Sequence, residues 1–233
     1  LSPSKLPNTF HVRDNDVAVV IFTSGSTGTK KGVMLTHGNL CANTESIVQY
    51  LKLTSQDRVC ATLPFFYCYG ASLLHTHLRI GGSIVISNHI FLGGVIRDIN
   101  SFFCTGFAGV PSTYQILINK TPFLKEDMPT LRYMTQAGGQ LPNKYIKIIA
   151  EAFPQKEFFV MYGATEATAR LSFLPPDKVL TKIGSIGKGI PGVTLEVING
   201  DGKAVQSGET GEITAIGDNI MKGYYGDPEG TQS

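Results

Sequence analysis

The segment 17–32, with the sequence VAVVIFTSGSTGTKKG, constrains the fold more than any other part of the chain. Its first six residues, 17–22, are apolar and mostly β-branched, which predicts a strand buried on both faces. The next ten residues combine three glycines with hydroxyl side chains and two lysines. Glycine lets consecutive backbone N–H groups turn inward, and such groups form a nest for anions. We therefore predict a loop that binds a polyphosphate, with positive charge from Lys30 or Lys31.

Two better-known loops have a different spacing. A Walker loop needs a glycine directly before its lysine and Ser or Thr after it, whereas Thr29 precedes the lysine pair here and Gly32 follows it. A nucleophile elbow needs Gly-x-Ser-x-Gly, and neither Ser24 nor Ser26 has a glycine two residues before it. A plain Gly/Ser surface loop rarely follows a buried strand so closely. The phosphate-binding interpretation is therefore favoured.

After this loop, strand-like and helix-like segments alternate along the chain. Thr36 is a predicted helix cap, and its helix runs to about Leu51 with one apolar face. Further strands are predicted at 58–63, 83–87, 105–108, 131–135 and 157–161, and further helices at 73–80, 95–102, 111–118 and from 142 onward. This alternation predicts an α/β fold, a mostly parallel sheet with helices on both faces. Loops 23–32, 137–141 and 162–166 are predicted to meet beyond the carboxyl ends of its strands, where ligands gather.

The character of the sequence changes after about residue 176. Glycines punctuate short β-like runs at 193–198 and 212–216, which predict a small antiparallel sheet or partial barrel. We therefore predict an α/β subdomain at 1–176 and a glycine-rich β subdomain at 177–233. The segment 187–192 matches Gly-x-Gly-x-x-Gly, but it contains a proline and precedes no predicted helix, so no dinucleotide site is predicted.

Composition limits the classes of function. Apolar residues make up 42% of the chain, enough for a sizeable core, whereas charged residues make up only 16%, below the roughly 25% of an average soluble protein. We therefore expect part of the surface to be covered by further sequence or by self-association. The net charge of +2 predicts no partnership with nucleic acid or membrane.

Metal sites and membrane spans are not predicted either. The four cysteines lack Cys-x-x-Cys spacing, and His75 and His77 would face apart on a helix. No apolar run reaches 18 residues and nothing resembles a signal peptide, so we expect no transmembrane segment. Reduced thiols and a cytoplasmic location are the expectation for such a chain.

The order Thr-Ser-Gly-Ser-Thr-Gly-x-x-Lys-Gly at 23–32 closely resembles the signature of the AMP-forming adenylating superfamily. That family includes acyl-CoA synthetases, luciferases and the adenylation domains of peptide synthetases. In it, this loop holds the β- and γ-phosphates of ATP. The resemblance assigns phosphate binding to Thr23, Ser24, Gly25, Ser26, Thr27, Gly28 and Lys31.

A second segment, Tyr-Gly-Ala-Thr-Glu at 162–166, is similar to the family's Tyr-Gly-x-Thr-Glu motif. Taken alone it is typical of a helix start with Thr165 as the cap. The resemblance implies that Tyr162 and Gly163 border the nucleotide, with the tyrosine against adenine. It also implies that Thr165 contacts the α-phosphate and that Glu166 binds Mg²⁺, a cation that prefers oxygen ligands and bridges carboxylate to phosphate.

A third segment, Ala-Gly-Gly-Gln-Leu at 137–141, resembles the family segment whose backbone borders adenine and the acyl pocket. Taken alone it is typical of a turn between a strand and a helix. The resemblance assigns Gly138, Gly139 and Gln140 to the nucleotide, and Ala137 to the acyl substrate together with Val110.

The segment 63–70, Leu-Pro-Phe-Phe-Tyr-Cys-Tyr-Gly, resembles the family's aromatic motif. Fatty-acyl and aryl ligases often carry His where Tyr67 stands, and this position gates the carboxylate pocket. Tyr69 and Gly70 are assigned to the same pocket, whereas Phe65 and Phe66 are expected to serve core packing. Domains that bind α-amino acids usually have Phe-Asp-Ala-Ser, but the ungapped match here is Tyr-Gly-Ala-Ser. A buried substrate ammonium would then lack its carboxylate, so an uncharged acyl or aryl acid is favoured.

The resemblance covers nearly the whole chain, including the glycine-rich tail through 223–225. It implies ATP-dependent activation of a fatty or aryl acid to an acyl-adenylate, with Lys31, Thr165 and Glu166 as the catalytic residues. ATP, Mg²⁺ and CoA, or a carrier protein as acceptor, are the implied partners. Because the family's large domain extends in both directions and continues into a mobile domain, we expect this chain to be a middle segment that is inactive alone. The alternatives are a non-catalytic nucleotide-binding or structural fragment, and an amino-acid adenylation domain that serves a carrier protein.

Overall fold

The computed structural model describes residues 11–24 and 30–232. It opens with a hairpin in which β1 (Val17–Ser24) pairs antiparallel with β2 (Lys30–Thr36). The strand predicted at 17–22 is confirmed. The prediction that it is buried on both faces is wrong, since Phe22 is 64% exposed. The reason is that, among the described strands, β1 is the edge of a small antiparallel sheet and pairs with β2 alone. A β-branched run does not distinguish such a strand from a buried parallel one.

The predicted helix after this hairpin is confirmed. Helix α1 (His37–Leu51) follows β2 directly, with Thr36 as its N-cap. The Thr36 hydroxyl accepts a hydrogen bond from Asn39 N–H at 3.1 Å, and the Asn39 side chain accepts one from Thr36 N–H at 2.9 Å. This reciprocal capping box fixes where the helix begins, because it satisfies two otherwise unpaired backbone donors.

A seven-stranded sheet forms the centre of the molecule. Its strands are β3 (Arg58–Ala61), β4 (Ser83–Ile86), β5 (Gly106–Gly109), β6 (Tyr133–Gln136), β7 (Glu157–Tyr162), β8 (Ser172–Leu174) and β9 (Lys188–Gly189). In space their order is β4-β3-β5-β6-β7-β8-β9, with parallel pairing from β4 to β7 and antiparallel pairing in β8 and β9. The prediction of a mostly parallel sheet is therefore confirmed.

Helices cover both faces of this sheet, also as predicted. They are α2 (Cys68–Ile80), α3 (Gly93–Ser101), α4 (Pro111–Lys120) and α5 (Asn143–Ala152). One buried apolar cluster joins the sheet to α3, α4 and α5, and a second joins it to α1 and α2. The adjacent strand residues Phe158 and Phe159 belong to different clusters, as the alternation of side chains along a strand requires.

The remaining elements are small. Strands β10 (Thr194–Ile198) and β11 (Glu212–Ile216) form the predicted antiparallel pair. Strand β12 (Gly223–Tyr224) pairs with β2 and completes a three-stranded sheet, and α6 (Pro228–Gln232) follows it. The main sheet extends to β9, and the division of the chain at residue 176 stays a prediction. Within the described ranges, no helix is both long and apolar enough to cross a membrane.

Asp57 anchors the loop that leads into β3. It is 4% exposed and accepts hydrogen bonds from Thr54 N–H at 2.8 Å, the Thr105 hydroxyl at 2.8 Å and Arg132 Nη2 at 2.9 Å. Burial on its own would raise the pKa of this carboxyl group, but the three donors and the positive charge of Arg132 outweigh burial and lower it.

Replacing Asp57 by asparagine is expected to lower the free energy of unfolding at neutral pH by about 2–3 kcal/mol, since Arg132 and Thr105 lose a charged acceptor. Because the folded-state pKa is lowered, the stabilisation is complete above the unfolded-state pKa of about 4 and is lost as pH falls through the folded-state value. Urea unfolding of both proteins from neutral to acidic pH measures this difference, which should shrink in acid. A difference that does not change with pH would contradict the role of the Asp57 charge.

Candidate functional site

Two of the three predicted loops lie side by side at the carboxyl-end edge of the main sheet. The segment 137–141 leaves β6, and the segment 162–166 begins at the last residue of β7, the neighbouring parallel strand. Both line a cavity of about 420 Å³ whose walls include Gly138, Gly139 and Tyr162. Other lining residues from these loops and their surroundings are Gln140, Leu141, Gly163, Ser185 and Ile186. These two loops therefore form one concave site.

The glycine pair of the first of these loops has a backbone that other residues rarely adopt. The φ angle is 82° at Gly138 and 153° at Gly139. A Cβ atom at Gly138 would also lie 3.1 Å from Val110 Cγ1. The Gly139 carbonyl accepts a hydrogen bond from Gln136 Nε2 at 2.7 Å. The turn is thus fixed against Val110 by its backbone, with Ala137 buried beneath it.

The loop predicted to bind phosphate is not flanked by strands of the parallel sheet. It joins β1 to β2 on the separate three-stranded sheet, with Thr23 opposite Lys31. The prediction that the strand at 17–22 belongs to the parallel sheet is therefore wrong, whereas the meeting of this loop with the other two stays a prediction. The cause is the second strand at 30–36, whose Val33 and Leu35 are fully buried and hold it in place. Residues 25–29 lie outside the described residues, as does the side chain of Ser24.

Lys31 and Glu166 are nevertheless brought to one place by Tyr224 of β12. The Lys31 ammonium lies 4.5 Å from the centroid of the Tyr224 ring, and the Tyr224 hydroxyl donates a hydrogen bond to Glu166 Oε1 at 2.8 Å. Lys31 Nζ also lies 3.9 Å from Asp227 Oδ2. The three-stranded sheet is therefore connected to the turn after β7 by a continuous chain of polar contacts.

The Tyr224 phenol is a hydrogen-bond donor at neutral pH. Partial burial, the hydrogen bond to Glu166 and the neighbouring carboxylates raise the pKa of Tyr224 to about 12. The neutral phenol has one proton to donate, and that proton points at Glu166. The carboxylate of Glu166 is thus oriented by a donor that keeps its proton over the physiological range.

Glu166 lies in a tight turn that is held by hydrogen bonds from other parts of the chain. One 3₁₀ turn covers Thr165–Ala167, with Ala164 as its cap residue, so Thr165 is the first residue of the turn rather than its cap. The following residues, Thr168 and Ala169, have φ angles of 62° and 147°, which are strained for side chains with a Cβ.

Asn219 holds this strained segment in place. Its side-chain amide donates to Ala167 O at 3.1 Å and to Arg170 O at 2.9 Å. The Thr168 hydroxyl donates to the Asn219 carbonyl at 2.6 Å. Asn43 of α1 adds a second amide donor to Arg170 O at 3.1 Å. Buried hydrogen bonds from two distant parts of the chain therefore fix the position of Glu166.

Three of the predicted substrate residues, Tyr67, Tyr69 and Gly70, lie at the start of α2. Tyr67 is the cap residue of this helix and is 58% exposed, whereas Tyr69 is buried. The Tyr69 hydroxyl lies 2.8 Å from the Thr135 hydroxyl, and the Arg170 guanidinium lies 4.0 Å from the centroid of its ring. Cys68 Sγ approaches Thr165 Oγ1 at 3.6 Å and links this helix start to the turn that holds Glu166.

A steric constraint, which the sequence did not reveal, explains why position 70 is a glycine. The helix begins at Cys68, earlier than the predicted residue 73, so that Gly70 lies in its first turn against the preceding loop. A Cβ atom at Gly70 would lie 2.0 Å from the carbonyl oxygen of Pro64. No side chain fits there without backbone movement, and this excludes an aspartate as well as an alanine.

Glu166 is suited to a cation that arrives with a phosphate ligand. Within the described parts of the chain, no three His, Cys, Asp or Glu side chains are grouped to hold a metal ion. Mg²⁺ takes most of its six ligands from phosphate oxygens and water, and one or two carboxylates complete its shell. The oriented carboxylate of Glu166 can supply one such ligand to a magnesium–nucleotide complex.

Three residues of this site were missed at the level of sequence, namely Tyr224, Asp227 and Asn219. The tail at 223–225 carried a family resemblance, but no pattern indicated which of its side chains reaches Glu166. The pairing of Tyr224 with Val33 depends on β2, a strand that was itself not predicted.

Comparisons with known proteins show the family to which the chain is related. A sequence model of a family described as AMP-binding enzyme matches residues 3–225. The acyl-CoA ligase sidI of Aspergillus fumigatus is 32% identical over 226 residues, which make up 94% of this chain and 38% of that protein. A feruloyl-CoA synthase of an Amycolatopsis species is 33% identical over 220 residues, with shares of 93% and 44%. The chain thus spans less than half the length of these relatives.

A solved structure is similar in fold over nearly the whole chain. It is o-succinylbenzoate coenzyme A synthetase (MenE) from Bacillus subtilis in complex with ATP and magnesium ion. The TM-score is 0.87 at 28% sequence identity, and the match covers 95% of this chain and 45% of the other.

Proposed function

Because the chain belongs to the AMP-binding enzyme family, we propose that it supplies the nucleotide and acid sites of an AMP-forming acid–thiol ligase. The observation that carries the proposal is the contact chain from Lys31 through Tyr224 to Glu166. It gathers a cation for phosphate and a carboxylate for Mg²⁺ beside a cavity at the carboxyl ends of β6 and β7. A magnesium-bearing triphosphate needs both kinds of group in one place.

The proposed reaction has two steps. A carboxylate oxygen of the acid attacks the α-phosphorus of ATP, the bond to the bridging oxygen breaks, and pyrophosphate leaves as an acyl-adenylate forms. The sulfur of a thiol, which we propose to be CoA, then attacks the acyl carbonyl, and AMP leaves. Such transfers depend on positioning and on neutralising charge more than on covalent help from the protein.

The roles of the phosphate-binding residues follow from their chemistry. Lys31 and the loop from Thr23 to Gly28 are proposed to bind the β- and γ-phosphates through the lysine ammonium and through backbone and hydroxyl donors. The Thr165 hydroxyl donates a hydrogen bond to the α-phosphate. Glu166 holds Mg²⁺, which when bound neutralises phosphate charge.

Adenine is proposed to occupy the cavity between the glycine pair and Tyr162. Gly138 and Gly139 present backbone rather than side chains to this space, with Gln140 and Gly163 beside them, so a flat ring can approach closely. Tyr162 is 36% exposed and offers an aromatic ring for stacking.

The acid is proposed to be an uncharged fatty or aryl acid, which binds near Tyr67, Tyr69, Gly70, Val110 and Ala137. Steric exclusion at Gly70 supports this class, because the carboxylate that would pair with an α-ammonium cannot be placed there. The similarity to a feruloyl-CoA synthase supports an aryl acid in particular. A cytoplasmic location and a part in fatty-acid metabolism belong to the same proposal.

Exchange of labelled pyrophosphate into ATP tests this proposal in the enzyme that carries this chain. We expect exchange with a fatty or aryl acid and no exchange with α-amino acids, followed by release of AMP when CoA is added. Exchange driven only by an amino acid would favour the carrier-protein alternative. Calorimetry of the 233-residue chain with ATP and Mg²⁺ distinguishes a nucleotide site from a structural segment, since the latter would bind no ATP.

A further inference from the structure

Two opposite charges that serve different partners lie close to one another in this site. On the proposed function, the Lys31 ammonium binds phosphate and the Glu166 carboxylate binds Mg²⁺. Opposite charges in a partly dehydrated site attract, and a direct ion pair between them would weaken both functions. In the parts of the chain that the structure describes, Lys31 makes no ion pair with Glu166, and its carboxylate partner is Asp227 at 3.9 Å.

Tyr224 contacts both charged side chains. Lys31 Nζ lies over the face of its ring, 4.5 Å from the centroid, and the hydroxyl end of the same ring donates to Glu166 Oε1 at 2.8 Å. The ring attracts a cation through its electron-rich face and an anion through its O–H proton. One side chain thus satisfies both charges without neutralising either.

Backbone hydrogen bonds position this tyrosine beside both charged residues. Tyr224 pairs with Val33 in the strand that carries Lys31, and the following N–H, of Tyr225, donates to the Gly32 carbonyl at 2.7 Å. Upstream, Met221 N–H donates to the Glu166 carbonyl at 2.8 Å. The short segment around β12 is therefore bonded to the neighbours of both charges.

We propose that Tyr224 is a positioning residue that keeps Lys31 and Glu166 apart, so that the carboxylate needed for Mg²⁺ does not pair with the ammonium needed for phosphate. This inference rests on the proposed function. It differs from a merely structural role because it predicts that the two charges become coupled when the ring is removed.

The first test is titration calorimetry of the 233-residue chain with ATP, with and without Mg²⁺. Tyr224→Phe keeps the ring but loses the hydroxyl, so we expect the gain in ATP affinity on adding Mg²⁺ to fall about tenfold, while affinity without Mg²⁺ changes less than about twofold. Tyr225→Phe is the matched control, since that side chain is 70% exposed, and it should behave like the unaltered chain.

The second test is a double-mutant cycle. Tyr224→Leu removes the ring and allows Lys31 to pair with Glu166, so ATP affinity without Mg²⁺ should fall about tenfold. Adding Glu166→Gln to this variant should restore most of that loss, whereas Glu166→Gln in the unaltered chain should change the same affinity less than about threefold. Thermal unfolding of each variant checks that it is folded.

The outcomes separate this inference from the proposed function. If the unaltered chain binds no ATP in the presence of Mg²⁺, the proposed function is wrong and this inference falls with it. If the unaltered chain binds ATP but Tyr224→Phe matches Tyr225→Phe, or Glu166→Gln has the same effect in both backgrounds, only the role of Tyr224 is overturned.

Discussion

Replacement of Lys31 by alanine is expected to slow acyl-adenylate formation by roughly 10²–10³-fold, the size of effect seen when one electrostatic contact to a transition state is lost. Negative charge accumulates on the departing pyrophosphate, and a nearby cation stabilises it. The Lys31 ammonium lies over the ring of Tyr224, whose hydroxyl donates a hydrogen bond to Glu166. Its side chain is 32% exposed, so that it is partly shielded from water and yet accessible to a ligand. Pyrophosphate exchange under saturating acid measures the loss.

Lys30 offers a matched control for this change. It precedes Lys31 in the same strand, is exposed, and lies opposite Ser24 in the hairpin register. Since neighbouring strand residues point to opposite faces, Lys30→Ala should leave exchange within about threefold of the unaltered enzyme. Equal losses of exchange rate in both variants would mean that the positive charge of the strand matters and the position of Lys31 does not. Unchanged exchange in Lys31→Ala would show that Lys31 has no role in the mechanism.

Replacement of Gly163 by alanine is expected to have the largest effect on folding. A Cβ atom there would lie 1.8 Å from the carbonyl oxygen of Ala169 and 3.0 Å from the Arg170 Cα atom. Both obstacles are backbone, and the segment to which they belong is held by Asn219 and Asn43, so it cannot simply move aside. We expect a loss of about 3 kcal/mol or more in the free energy of unfolding, or failure to accumulate soluble protein.

Gly200 provides the comparison for this substitution. A Cβ atom at Gly200 would meet no described residue within 4 Å, and Gly200 lies in an exposed turn. Gly200→Ala should therefore change the free energy of unfolding by no more than about 0.5 kcal/mol. Denaturant titration of the two variants side by side measures the contrast. Similar midpoints for both would show that the turn after β7 can relax, contrary to the clamped geometry described above.

Local chemistry made most of the fold predictable. Helix α1 begins where Thr36 can cap it, and the strands of the main sheet coincide with short apolar runs between turn residues. The error in the sheet came from an unrecognised hairpin. Strand β2 pairs antiparallel with β1 along its length, and this pairing placed the first loop on a different sheet from the one predicted, a sheet that β12 completes from the far end of the chain.

The candidate site was predictable to the extent that it resides in contiguous motifs. Lys31 and Glu166 were identified by resemblance to short family patterns, and the structure links them through Tyr224. Tyr224 itself was not identifiable, because its role depends on a two-residue strand that no periodicity marks. The steric role of Gly70 was also hidden, since it arises from the path of the loop at Pro64.

The pairing of β12 with β2 has a consequence for the order in which this protein matures. Positions 31, 166 and 224 are far apart along the chain, so the entropy of closing two long loops opposes their assembly until the packed layers exist. The two residues of β12 form few bonds of their own, so this strand can detach while the interior stays intact. The ability to bind nucleotide would then appear last during folding. On mild heating it would be lost first, before the circular-dichroism signal of the helices changes.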